Sequence, residues 1–336
     1  MKNGKERLMR AVPFVMAMLL ITLAPLQSAQ ALFGQSKQAP AAAEGAPIAR
    51  NMEIKVYRNV PYTGTFHAVD NENEAVTFAI TDAPKKGTVA LTEDGLGFIY
   101  TPGKNKIGAD SFTYTATDGS GNVSLPATVK LTIERTQSGV SYADMDTNRA
   151  ATAAVDLAEH GIFVGARVGE NYFFEPERVL SRGEFIAMAM AASGAKAAPT
   201  AVTGFCDDTE IPTWCKGYAV SALSSGVICG VETERGVAFD AGAAITLNEA
   251  AVVLNRLLAV TDVDLGSYDE AAAESAWCAQ AVANLQSVSI LQTGRFTHDD
   301  MRRGITRAEA AELLSAAMTL QAGRGADRGL IGQLFG

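Results

Sequence analysis

Two arginines are the residues of this 336-residue chain best suited to gripping a charged ligand. Arg182 and Arg307 each stand inside a short element that occurs three times, as Leu180-Ser181-Arg182-Gly183-Glu184, Ile245-Thr246-Leu247-Asn248-Glu249 and Ile305-Thr306-Arg307-Ala308-Glu309. A Ser or Thr three residues ahead of a Glu predicts a reciprocal helix cap, so Ser181 with Glu184, Thr246 with Glu249 and Thr306 with Glu309 are accounted for by helix initiation alone. Capping does not require the arginine, whose planar fork matches a carboxylate. On the residues alone a surface ion pair is the competing role. The second copy keeps its cap but carries Leu247, which predicts a helix that persists beside a groove that binds weakly.

The elements that must position these side chains follow from the spacing. The three glutamates lie 65 and then 60 residues apart, as expected of one supersecondary unit repeated with variable loops. After each cap the apolar residues keep one helical phase: Phe185, Met188, Ala189 and Ala192, then Ala250, Val253, Leu254 and Leu257, then Ala310, Leu313, Leu314 and Ala317. A shorter helix precedes each cap and is ended by glycine, at Gly161-Ile162-Phe163-Val164-Gly165 and Gly226-Val227-Ile228-Cys229-Gly230. Upstream again stand Trp214 and Trp277, with Arg149 at the corresponding place in copy one. An indole there could stack on a sugar ring or pack the first turn of the short helix, and packing is the expectation.

An acidic entry opens each copy: Tyr142-Ala143-Asp144, Phe205-Cys206-Asp207 and Ser267-Tyr268-Asp269. Aromatic-x-Asp, Trp, a helix, a glycine break, Phe, and Thr-Arg-Ala-Glu opening a second helix resembles the S-layer homology family, over roughly residues 140 to 320. The resemblance implies an all-α, pseudo-threefold module of three repeats, at 138–195, 202–260 and 264–320, that binds cell-wall polysaccharide, often pyruvylated, without a covalent bond. It further implies pockets between neighbouring repeats, with Arg182 and Arg307 meeting a pyruvyl carboxylate. Asp144, Asp207 and Asp269 are carried over as candidates for a sugar hydroxyl, against the plainer role of turn or cap; Trp214 and Trp277 join them as polysaccharide-binding candidates.

Other chemistries find less support. Four cysteines, Cys206, Cys215, Cys229 and Cys278, allow one or two disulfides in an exported protein, with Cys206–Cys215 preferred. Zinc is disfavoured, because the short paired Cys spacing and the adjacent His are lacking, and no metal or cofactor is expected. The histidines, His67, His160 and His298, are scattered, and no nucleophile elbow or His-Glu-x-x-His motif occurs, so the chain is expected not to be an enzyme. A wall-bound hydrolase is the less favoured alternative. The formal charge of −9 argues against nucleic acid, whose binding needs clustered Lys and Arg.

Toward the start, Lys2, Lys5, Arg7 and Arg10 precede an apolar run that ends at Ala29-Gln30-Ala31. Residues 1–31 thus read as a secretory signal peptide, with contact to membrane only through that transient segment. Residues 32–50, rich in Ala, Pro, Gln and Gly, read as a flexible linker. Over 51–135 short alternating runs at Ile54–Tyr57, Val76–Ile80, Thr88–Leu91, Gly97–Tyr100, Ser111–Thr117 and Ala127–Ile133 predict an all-β, immunoglobulin-like sandwich, and Gly108 to Gly119 resembles bacterial cadherin-like and immunoglobulin-like surface repeats. Asp70, Glu72, Asp110 and Asp118 at its strand ends are expected in structural turns rather than around calcium. The glycine-rich tail, 321–336, is expected to be flexible. The expectation is an exported, non-enzymatic protein of the cell surface or S-layer, anchored to cell-wall polysaccharide, with the sandwich as spacer or displayed module. The alternative is an adhesin whose sandwich binds an external protein or glycan.

Overall fold

Residue alternation builds the first module. Phe112, Tyr114 and Ala116 point inward from one strand and are almost wholly buried, while Thr113, Thr115 and Thr117 between them stay partly exposed. The computed structural model describes residues 45–335 other than 73 and 269–273, with side chains placed as far as Gly325. In it, β2 (Met52–Tyr57), β9 (Ala127–Glu134), β8 (Gly108–Thr117) and β5 (Thr77–Asp82) form one sheet in that spatial order, with β2 parallel to β9. A second sheet joins β3 (Tyr62–Thr65), β7 (Gly97–Pro102) and β6 (Gly87–Leu91). Their inner faces meet over Phe66, Phe98, Tyr100, Phe112, Tyr114 and Leu131, an immunoglobulin-like sandwich.

Three short strands had no signature in the sequence. β3 is one, and β1 (Ile48–Ala49) pairing β4 (Ala68–Val69) supplies the others. The linker expected over 32–50 therefore ends before Ile48, because two residues suffice to pair with β4 even though they carry no period; residues 32–44 lie outside the described residues, as does the signal peptide. Asp110, at the start of β8, accepts from the Lys85 and Lys86 amides and from the Tyr100 hydroxyl, so its carboxylate pins a turn. Asp118 holds Asn122 in the same manner, and Asp70 accepts from the Glu74 amide.

In the helical region the three capped elements behave as the sequence predicts. Ser181 and Thr246 each close a reciprocal cap, opening α2 (Arg182–Ala192) and α4 (Leu247–Leu258). Thr306 and Glu309 exchange the same two bonds, 2.8 and 3.2 Å, at the start of the last helix, α7 (Arg307–Phe335). The apolar stripes face inward, though Ala192 and Leu257 are only partly buried, and Ile186, Ala187 and Met190 widen the stripe of α2 until most of that helix is enclosed.

Between the caps the chain forms a closed ring. The Leu180 amide donates to the Ile305 carbonyl (3.0 Å), Ile305 to Ile245 (2.9 Å), and Ile245 back to Leu180 (3.2 Å). All three side chains are buried to 1% exposure or less, so the three caps close over a shared apolar hub. The upstream helices are α1 (Ala151–Glu159), α3 (Thr213–Ser224) and α5 (Ala279–Ser287). Gly161 and Gly226 end the first two with left-handed φ of 67° and 72°, and Ser289 takes that conformation (59°) after the third, which hid the break from a glycine-based reading. Hairpins β10 (Ala166–Val168) with β11 (Asn171–Phe173) and β12 (Val231–Thr233) with β13 (Gly236–Ala238) follow in copies one and two. In copy three α6 (His298–Arg302) occupies the approach to the cap.

The tail expected to be flexible is helical, since α7 continues to Phe335. Extending a nucleated helix costs far less than starting one, and the segment contains glycine but no proline to stop it. The Arg324 guanidinium donates to the Leu258 carbonyl at the end of α4. Among the described residues no helix is long and apolar enough to cross a membrane.

Sandwich and helices belong to one compact unit, residues 42–336. Tyr57, at the end of β2, is buried in the helical core, and its hydroxyl donates to Asp156 on α1 (2.5 Å), whose other oxygen accepts from Ser315 on α7 (2.7 Å). Burial and that carboxylate push the Tyr57 phenol far above its ordinary range, so it remains a donor at every physiological pH. Thr152 donates to the Pro61 carbonyl (3.0 Å), and Gln292 to Thr65 (3.0 Å). The sandwich is seated on the helices at several points, which the reading of it as a mere spacer did not foresee.

Candidate inter-repeat site

The ring fixes what each cap touches. The amides of Arg182 and Gly183 donate to the carbonyls of Ala243 and Ala241, so copy one leans on copy two. Those of Arg307 and Ala308 donate to Arg178 and Pro176, so copy three leans on copy one; Thr246 bridges to Gly304 and completes the cycle. Each repeat thus buries its cap against the loop leading into the next.

Arg182 and Arg307 lie inside these interfaces rather than open to solvent. The Arg307 side chain is 3% exposed, stacks 4.8 Å over the Phe163 ring, donates to the Phe174 carbonyl and pairs with Glu175 at 3.1 Å. Burial lowers its proton affinity, with Arg178 adding repulsion. Arg182, 12% exposed, pairs with Glu249 at 3.3 Å. The pattern has a local reason. Glu184 and Glu309 are paired by Arg178 (2.8 Å) and Arg303 (2.5 Å) of their own copies, but copy two has Ala243 at that place, and Arg182 of its neighbour takes over. Leu247 is fully packed at 1% exposure, filling the third interface as an apolar plug.

The aspartates turn out to be clamps. Asp144 accepts from the amides of Phe174 (2.9 Å) and Glu175 (2.7 Å), and Asp207 from Phe239 and Asp240, both 2.8 Å. Glu175 and Asp240 sit at left-handed φ of 54° and 57°, and the carboxylates hold those bends. Both oxygens are engaged, which favours the role of turn over that of sugar contact; Asp269 lies outside the described residues.

The tryptophans go the other way. Expected to pack, Trp214 and Trp277 are 56% and 59% exposed, although the cysteine following each is wholly buried. In both copies the thiol is buried where the short helix begins and the indole before it faces out, a phase that periodicity within one turn does not reveal. Cys215 touches the Gly183 carbonyl (3.6 Å), so the residue next to Trp214 in the chain packs against the copy-one cap. At the corresponding place in copy one, Arg149 is held by Glu312 (2.8 Å) and by Gln292 (3.2 Å).

The disulfides expected among the cysteines are not formed: all four are free thiols. Cys215 and Cys278 are turned into the helical packing, whereas Cys206 is exposed against Thr233 and Cys229 against Arg256. Burial raises the Cys215 thiol to about 11 and pushes Cys278 up as well. Since the thiolate is the reactive form, iodoacetamide at pH 8 should label Cys206 and Cys229 in the folded protein and reach Cys215 and Cys278 only after unfolding. Mass spectrometry of the alkylated peptides checks this, and equal labelling of all four would contradict the placement.

No match was found among curated proteins. Among solved structures, similarity extends to an endo-fucoidan hydrolase of glycoside hydrolase family 107 (17% identity over 30% of this chain and 15% of that one, TM-score 0.24). A sialic acid binding region of a Streptococcus sanguinis adhesin (16% identity, 29% and 31% covered, TM-score 0.22) and fibronectin(III)-like modules of Clostridium thermocellum CbhA (19% identity, 27% and 48% covered, TM-score 0.20) are also similar. Such TM-scores fall short of a shared overall fold, and the chain spans less than a third of the length of the first two. Residues 44–132, which span the sandwich strands and the β1–β4 pair, match the model of the bacterial Ig domain family.

Proposed function

We propose that the helical region, residues 138–195, 202–260 and 264–320, is a set of three S-layer homology repeats that holds an exported, non-enzymatic protein to cell-wall polysaccharide, with the Ig-like sandwich carried on it. The observation that carries this reading is the pair of outward-facing indoles, Trp214 and Trp277, at corresponding positions of two copies. Leaving large apolar rings in water is unfavourable unless something covers them, and a sugar ring presents the flat C–H face that an indole stacks upon. Arg182 keeps a little of its side chain accessible. It is the arginine better placed to meet an acidic sugar, whereas Arg307 is committed to the fold. Copies engaging one polymer chain would reinforce each other, because the second contact is intramolecular.

The test is co-sedimentation of the chain with isolated cell walls, intact or stripped of secondary polysaccharide. Binding should require the polysaccharide. Trp214→Ala should weaken it by about tenfold or more and Trp214→Ala with Trp277→Ala by substantially more than either alone, in variants whose unfolding midpoints are unchanged. Binding to stripped walls, or undiminished binding by the double variant, would remove the anchor reading and turn attention to an external ligand of the sandwich.

A further inference from the structure

One of the three interfaces differs from the others in its chemistry. Next to Leu247, Asn248 stands where the other copies have Gly183 and Ala308, and it donates to Glu274 at 2.8 Å across the boundary between copies two and three. Glu274 in turn corresponds to Ile211, an apolar side chain buried in the adjoining interface. Asn248 and Glu274 are 4% and 8% exposed, and the Asn248 carbonyl oxygen has no hydrogen-bond partner among the described residues. Burying an amide and a carboxylate where glycine and isoleucine would fit is costly, and packing alone gives no reason for it.

The reason lies on the other side of Glu274. Its second oxygen is 2.6 Å from Nδ1 of His298, the first residue of α6. A carboxylate only accepts, so in the neutral form of the ring the proton sits on Nδ1 and Nε2 is left as an acceptor. His298 is 42% exposed, and together with Glu274 it lines a cavity of about 320 Å³ whose other walls include Phe296, Met301, Thr297 and Gln286. The walls combine apolar surface with hydrogen-bonding groups, and among the described lining residues the titratable ones are Glu274 and His298, which are paired with each other. That combination suits a neutral sugar unit, with C–H faces for the apolar wall and hydroxyls for the imidazole and amide.

We infer that this cavity is a subsite for a neutral, hydroxyl-bearing sugar unit, with His298 Nε2 accepting a hydroxyl proton and Glu274 as the positioning residue that fixes the tautomer. The inference rests on the anchoring function proposed above and extends it: the Arg182 interface takes an acidic unit, and the copy that lost its arginine takes a neutral one of the same polymer. Copy two is then specialised rather than inactive.

The experiment is NMR of the full chain with nitrogen-15-labelled histidine and tryptophan, titrated with the methyl glycosides of N-acetylglucosamine, glucose and galacturonic acid. A neutral glycoside should shift the His298 imidazole saturably and leave the Trp214 indole in place, while the galacturonide should do the reverse. Glu274→Gln should redistribute the His298 tautomers, visible in the imidazole nitrogen shifts, and weaken the neutral glycoside about tenfold, as for a lost orienting hydrogen bond. An unmoved imidazole beside a responsive Trp214 would overturn the subsite while leaving the anchor intact; no response at either residue, with no wall binding, would overturn both.

Discussion

Replacing Arg307 by alanine should destabilise the folded chain by about 2–4 kcal/mol, where Arg182→Ala should cost about 1 kcal/mol. The two residues occupy matching places in the repeat, so the difference comes from their surroundings. Arg307 is 3% exposed and holds a buried backbone carbonyl, that of Phe174. A charged hydrogen bond of this kind contributes about 1.5–3 kcal/mol, and the stacking on Phe163 adds about 1 kcal/mol. Its ion pair matters less, because Glu175 is 54% exposed and well solvated. Arg182 instead meets a carboxylate that is one-third exposed and already serves as a helix cap. Lysine should not rescue Arg307, since it cannot stack a planar fork on the ring. Urea midpoints of the single variants decide the matter. If Arg307→Ala unfolds at the wild-type midpoint, the guanidinium contributes nothing to the interface between copies three and one. Loss of wall binding in a variant carrying both substitutions would therefore say little about ligand contact unless folding is measured alongside.

Asp207→Ala should be comparably severe, about 2–4 kcal/mol, through a different route. Asp207 is 4% exposed and receives two backbone amides, those of Phe239 and Asp240, at 2.8 Å each. Alanine leaves both donors without their acceptor, the Phe239 amide in a buried place and the Asp240 amide in a partly buried one, and an orphan of this kind costs about 1–3 kcal/mol where water cannot replace the acceptor. The bend they hold includes Asp240 at φ 57°, a conformation that a non-glycine residue adopts only under constraint. Asp207→Asn keeps one acceptor oxygen and should recover about half of the loss. Wall binding by Asp207→Ala, measured below its unfolding transition, should match wild type. A variant of normal stability that no longer binds would instead make Asp207 a ligand contact.

Much of the architecture was readable before any coordinates. The Ser/Thr-x-x-Glu elements require nothing beyond four residues in one chain, and all three open helices where they occur. Alternation from Ser111 to Thr117 likewise carried its own strand and its own buried face. What failed was information that resides in neighbours. β3 and the β1–β4 pair are too short for a period of their own, Ser289 ends a helix in the conformation normally left to glycine, and the tail continues a helix that its glycines seemed to forbid.

The candidate site shows the same division. Residue type alone established that Ser181, Thr246 and Thr306 cap helices, that Arg182 and Arg307 were surplus to capping, and that copy two had exchanged its arginine for Leu247. Only the tertiary structure decided that Arg307 is enclosed while Arg182 keeps an edge, that Trp214 and Trp277 face outward while their cysteine neighbours face inward, and that Asn248, Glu274 and His298 converge. The physical reason is that capping and alternation are satisfied by bonds within a few residues. Burial, charge pairing and the solvent exposure of an indole depend instead on surfaces brought together from different repeats by the ring of Leu180, Ile245 and Ile305, and no local spacing encodes which side of that ring a residue will meet.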